Sequence, residues 1–185
     1  MSIRDKAYVA GIYEHPCRTA ATKTLAQLHA EIAQGALADA GLSMNDVDAY
    51  FCAGDAPGLG PLNMIEYLGL QNIRHMDSTE TGGSSYLVHV NHAAQAITAG
   101  HCNIALITLA GRPLADAKEG KSGRYHNAEA PDFPFEAPFG ANVANMYAMC
   151  AMRHMHEFGT TSEQLAWIKV AASHHAQYNE NARLK

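Results

Sequence analysis

Residues 78–100 read STETGGSSYLVHVNHAAQAITAG, a turn that feeds a helix. Gly82, Gly83, Ser84 and Ser85 stand where that helix begins. Glycine there permits a positive φ or a close backbone approach, and serine can accept hydrogen bonds from the first N–H groups of a helix. Further on, Leu87, Val90, Asn91, Ala94 and Ile97 recur at helical spacing along one face, while Ala93 and Ala96 keep another face thin enough to be buried closely. Gly100 ends the helix. The run that follows, NIALITLA (103–110), is apolar without a break, as expected of a parallel strand covered on both faces. A glycine turn opening a buried helix is a place where enzymes hold a nucleophile.

Working outward, AYVAGIY (7–13) is a short β-rich run that stops at His15-Pro16. Leu25, Leu28, Ile32, Ala36 and Ala40 then mark an amphipathic helix. Thr24 with Gln27 is placed to form a capping box, and Gly41 sits at the C′ position. VDAYFCA (47–53) predicts a strand, GDAPGLGP a glycine- and proline-rich loop, residues 63–68 a short helix and 73–76 a further strand. Four strands alternating with helices give an α/β layout. Residues 112–138 break the pattern as one long excursion, the kind that serves function or subunit contact. Helices are expected over 140–157 and 162–178, with Ser162 as a cap and Leu165, Ile168 and Ala172 facing inward. The division expected is an α/β half over 1–111 and an excursion with helices over 112–185. A trailing helical arm with no closing strand suggests half of something larger.

The formal net charge of −5 in 185 residues excludes a basic footprint for nucleic acid. Hydrophobic residues, at 48%, suffice for a core, yet no apolar run nears the roughly 20 residues of a membrane helix. The first residues lack a signal-peptide stretch, so a cytoplasmic location is expected. Cys17, Cys52, Cys102 and Cys150 form no CxxC pair and read as free, mostly packed thiols. His89 and His92 share a helix face, but no third ligand accompanies them, so they read as core histidines and no metal is expected. HMHE at 154–157 lacks the HExxH spacing and reads as helix surface. Glu80, just before the glycine turn, reads as a solvated or cap-stabilising carboxylate.

Taken together, VAGIYEHPCR, ALADAGLSMNDVDAYFCAG, HAAQAITAGHCNIALITLAG and AMRHMHEFGTTSEQLAWIKVAASHHAQYNENA resemble, in this order and spacing, the N-terminal half of the thiolase superfamily. They are most similar to the lipid-transfer-protein (sterol carrier protein x type) branch. The resemblance covers essentially the whole chain. It implies a thiolase-like α/β fold, here an N-terminal βαβαβαβ half plus part of the helical loop domain. Coenzyme A thioesters are the implied substrates, with no covalently bound cofactor. Thiolases attack the substrate with a cysteine at the start of the third helix, where the helix N-terminus favours a thiolate. That position falls on Gly83, with Gly82 and Ser84 beside it, so the chain departs from the family where acyl-enzyme chemistry begins.

Ser84 and Ser85 are the nucleophile candidates, although a serine needs a general base beside it. Gly82 and Gly83 are candidates for an oxyanion pocket of backbone N–H groups. The resemblance adds Phe139, Asn142 and Met146 as substrate-lining candidates, and a stripe of Met146, Met149, Met152 and Met155 reads as core or subunit-facing. Three activities stay open: a retro-aldol lyase that needs no cysteine, a conventional acetyl-CoA C-acyltransferase, and a non-catalytic subunit of a hetero-oligomer. The resemblance also implies a homodimer or higher oligomer, a second thiolase-half chain and a small zinc-ribbon/OB-fold (DUF35-type) partner.

Overall fold

A computed structural model describes residues 2–17, 19–118, 131, 133–140 and 143–184. The chain divides into two compact units, Met1–Ala115 and Asp116–Lys185. In the first, α1 (Leu25–Ala40), β1 (Ala49–Phe51), α2 (Pro61–Leu68), β2 (His75–Asp77), α3 (Ser85–Thr98) and β3 (Ala105–Ile107) follow one another. The second holds α5 (Phe133–Glu136), α6 (Val143–Phe158) and α7 (Ser162–Ala176), while a short α4 (Pro113–Lys118) runs across the boundary.

The strands form one parallel sheet in the order β2-β1-β3. Tyr50 is level with Met76 on one side and with Leu106 on the other. β1 is central and fully buried, as its apolar composition requires. Successive side chains point to opposite faces, so β1 feeds two cores. Tyr50 joins Ala33 and Leu37 of α1 and Met64 of α2, whereas Ala49 and Phe51 join Ala93 and Ala96 of α3. The N-terminal ends of the strands are tied by Asp48. Its carboxylate accepts from the Asn103 and Ile104 N–H groups at 2.9 and 2.8 Å, and its carbonyl accepts from the Arg74 N–H at 2.8 Å.

α1 has the expected capping box between Thr24 and Gln27, and Gly41 closes it with φ +69°. Its buried residues are Leu28, His29, Ala33 and Leu37, so the core-facing stripe is rotated from the Leu25–Leu28–Ile32 line. The predicted strand at 7–13 is not one. That segment joins no strand of the sheet and lies against α1 instead. It lies close: a Cβ on Gly11 would meet the Ala36 carbonyl oxygen at 2.4 Å. The sheet therefore has three strands, not four.

α3 also turns a different face inward. Ser85, His89, Ala93 and Ala96 are buried, whereas Leu87 and Val90 are exposed, because the small residues let the helix approach β1. In the second unit Thr161, rather than Ser162, caps α7, with its hydroxyl on the Gln164 N–H. Leu165, Ile168 and Ala172, expected inside, are exposed. Cys150, expected to be packed, is exposed too; Cys52 and Cys102 are buried. Met149 and Met152 are exposed, while Met146 and Met155 are half-buried. No helix is long and apolar enough to cross a membrane among the described residues.

Candidate functional site

The carboxyl end of a parallel sheet is where such folds bind ligands. Here the loop after β1 meets the turn before α3, and one carboxylate joins them. Glu80 accepts from the Gly54 N–H at 2.6 Å through one oxygen and from the Gly82 N–H at 2.8 Å through the other. Ser85 completes the brace. Its hydroxyl donates to the Gly82 carbonyl at 2.7 Å, lies 3.2 Å from Glu80 Oε1 and accepts from the Thr81 N–H at 2.8 Å. Ser85 is fully buried, so its oxygen is committed to the turn.

Gly82 has φ +69°, which a side chain would strain. Gly83 and Ser84 are exposed at the helix start, and a Cβ on Gly83 would meet nothing within 4 Å. The Ser84 hydroxyl donates to the Thr81 carbonyl at 3.0 Å. The elbow thus has an outer face of backbone and a buried face of side-chain braces. Helix-start N–H groups on the outer face favour developing negative charge.

A second polar group lies behind it. Asp55, in the loop after β1, accepts from the Tyr86 hydroxyl and from the Ala110 N–H at 2.8 Å. His29 Nε2 faces its Oδ2 at 3.3 Å without the alignment of a hydrogen bond. His29 Nδ1 contacts Thr108 Oγ1 at 2.8 Å, and Tyr50 reaches the same oxygen at 2.7 Å. His29, Tyr50 and Thr108 are buried. Burial alone would raise the Asp55 pKa, but His29, Tyr86 and the Ala110 N–H outweigh it and hold the carboxyl below its ordinary value. The Tyr50 phenol is pushed up by burial.

Tyr86 opens onto a cavity of about 470 Å³. Its walls include Ile12, Leu28, Ile32 and Leu109, with Tyr13 and His15 among its more polar members. Sequence reading passed over this cluster because its members are scattered over two helices, a strand and two loops. The one local signal was a histidine on the apolar side of α1.

His89 lies under the elbow, its Nε2 on the Thr79 carbonyl at 2.9 Å; its buried Nδ1 has no partner among the described residues. His92 Nδ1 meets Asp77 Oδ2 at 2.5 Å. Burial would raise Asp77, but His92 and Thr79 bring it down to about 2. No cluster of three or more metal-ligating side chains occurs among the described residues. Burial pushes the Cys52 thiol up to about 11, the opposite of an activated nucleophile. Phe139 is exposed and Met146 half-buried, both in the second unit. Asn142 lies outside the described residues.

No protein-family model matches the chain. It is 28% identical over 181 residues to a steroid side-chain-cleaving aldolase of Thermomonospora curvata, covering 95% of this chain and 46% of the relative. It is 30% identical over 172 residues to a 17-hydroxy-3-oxo-4-pregnene-20-carboxyl-CoA lyase of Mycobacterium tuberculosis, covering 84% and 42%. An acetyl-CoA acetyltransferase of Methanothermobacter thermautotrophicus is 29% identical over 159 residues, covering 83% and 40%. Among solved structures, an Ltp2-ChsH2(DUF35) aldolase superposes with a TM-score of 0.80 at 27% identity, covering 94% of this chain and 44% of that one. The chain spans about half the length of the curated relatives it matches.

These likenesses place the chain among the thiolase-like α/β proteins. Its relatives there include a side-chain-cleaving aldolase and a carboxyl-CoA lyase as well as an acetyltransferase.

Proposed function

We propose that this chain is the elbow-bearing half of a carbon–carbon lyase that cleaves a β-hydroxyacyl-CoA thioester by retro-aldol chemistry. The observation that carries the reading is the elbow itself. Its start holds Gly82, Gly83 and an exposed Ser84, its buried serine is spent on bracing, and it has no thiol. A Claisen or thiolysis route needs a nucleophile to form an acyl-enzyme. Retro-aldol cleavage does not. It needs a base on the β-hydroxyl and a place to hold the negative charge that arrives on the thioester oxygen.

The exposed backbone at Gly83 and Ser84 is suited to that second task, because helix-start N–H groups need no reorganisation as charge develops; the Gly82 N–H is held by Glu80, so Gly82 shapes the turn through its positive φ. Glu80 and Ser85 keep the turn in shape from beneath. Phe139, Asn142 and Met146 are kept as candidates for lining the acyl portion. The reading includes an assembly: a second thiolase-like half supplying the base, a DUF35-type partner like that named in the superposing structure, and self-association of the chain. It also includes a cytoplasmic location and no covalently bound cofactor.

The test follows products from a β-hydroxyacyl-CoA given to the protein purified with whatever accompanies it. Release of a carbonyl compound and a shortened acyl-CoA, with no acyl adduct on the chain by intact mass, is the expected result. An acyl adduct on Ser84 would overturn the mechanism. Absence of cleavage by the complete assembly would favour the non-catalytic subunit.

A further inference from the structure

Two neighbouring residues of the loop after β1 tie down the elbow on both sides of its exposed backbone. The Gly54 N–H donates to one Glu80 oxygen at 2.6 Å, and the other Glu80 oxygen takes the Gly82 N–H at 2.8 Å. Next along the loop, Asp55 accepts from the hydroxyl of Tyr86, in the first turn of α3. Only Gly83, Ser84 and Ser85 separate Gly82 from Tyr86, and Ser85 is braced by its hydroxyl on the Gly82 carbonyl at 2.7 Å. A segment this short, fixed at both ends, has little backbone freedom left to lose when a ligand arrives.

The loop is fixed in turn to the rest of the first unit. Asp55 Oδ2 accepts from the Ala110 N–H at 2.8 Å, beyond the end of β3, and faces His29 Nε2 of α1 at 3.3 Å. A carboxylate can accept several hydrogens at once, so one side chain joins the loop to a strand end and to α3. His29, Tyr50 and Thr108 lie buried behind it. Burying polar groups is costly unless they are satisfied. Rigidity at the elbow is a return on that cost that an apolar core would not give.

We infer that Glu80 and Asp55 are paired positioning residues, which together set where the Gly83 and Ser84 N–H groups point and so how well the turn holds the oxygen of a thioester. This rests on the reading of the elbow as an acyl-CoA thioester site. It goes past the bracing of the turn from beneath, because a carboxylate that reaches the elbow through Gly54 and Tyr86 becomes a determinant of substrate binding.

Near-isosteric changes separate the two ties. In Glu80→Gln one oxygen becomes an NH2 group, which cannot accept from a backbone N–H, so either Gly54 or Gly82 is released. Tyr86→Phe removes the hydroxyl that Asp55 holds. Both keep side-chain volume nearly unchanged.

The test titrates octanoyl-CoA and its thioether analogue S-octyl-CoA, which lacks the carbonyl oxygen, into the protein purified with whatever accompanies it. Circular dichroism first checks that each variant is folded. Wild type should bind the thioester about tenfold more tightly than the thioether, the range of two hydrogen bonds to one oxygen. Glu80→Gln and Tyr86→Phe should each cut that preference to about threefold or less, with thioether affinity unchanged. Asp48→Asn is the control. It loosens the opposite end of the same sheet, where Asp48 accepts from the Asn103 and Ile104 N–H groups, and should keep the full preference. A preference that survives in either Glu80→Gln or Tyr86→Phe overturns the inference. So does one lost equally in Asp48→Asn, since it would then follow stability alone. Equal binding of both probes by wild type overturns it and leaves the acyl-CoA reading standing. If neither probe binds, that reading falls first and takes the inference with it.

Discussion

α1 and α6 are both 16 residues long, but α1 buries four side chains and α6 buries none. The contrast extends to their units. In the first, a strand buried on both faces is wrapped by helices, and Phe51 and Met64 are sealed from water. In the second, Tyr147, Met152, Trp167 and Ile168 are all more than half exposed. Local signals do not separate the two. Thr24 and Thr161 make the same capping box, each paired with a glutamine three residues on. Caps and propensity are enough to write a helix, but only a sheet laid beside it consumes its apolar stripe.

The sharpest way to break this comparison is a matched pair of truncations. Phe51→Ala should cost about 3–5 kcal/mol, as for a sealed aromatic. Trp167→Ala, on a residue 62% exposed, should cost under about 0.5 kcal/mol. Urea titration followed by circular dichroism gives both. A large loss at Trp167 would mean that α7 is covered in solution.

A smaller effect tests the caps. Thr24→Ala should lose about 1 kcal/mol of global stability. Thr161→Ala should leave global stability nearly unchanged and instead raise hydrogen exchange in the first turn of α7. Equal global losses would show that the two units unfold as one.

The smallest effect concerns acid. The Asp77 carboxyl is held at about 2, against an ordinary 3.8. A depressed folded pKa contributes stability above the unfolded value, and that contribution is lost as pH falls from about 4 to about 2. Asp77→Asn should flatten this part of the stability curve for the first unit. If the mutant's acid transition has the wild-type slope, the His92–Asp77 contact carries no stability.

Much of the first unit was legible. The capping box at Thr24, the αL glycine at Gly41 and the apolar runs around β1 and β3 are local signals, and the fold honours them. The segment at 7–13 misled because β-propensity says that a stretch can be extended, not what it packs against, and here it packs on α1. The buried faces of α1 and α3 shifted because small residues and a histidine, rather than the largest side chains, set the approach to the sheet. At the site, the glycine-serine turn and the cap-like role of Glu80 could be read from order along the chain. The Tyr86, Asp55 and His29 cluster could not, since its members are 26 and 31 residues apart in sequence and only the sheet brings them together.

The cysteines have a practical consequence. Cys52 and Cys102 are buried with thiols raised by burial, whereas Cys17 and Cys150 are exposed, one in each unit. A maleimide dye at neutral pH should therefore attach at two positions and spare the other two. The native chain carries its own donor and acceptor sites for energy transfer. The spacing of its two units, and any change in it when a ligand arrives, is open to measurement without engineering a single residue.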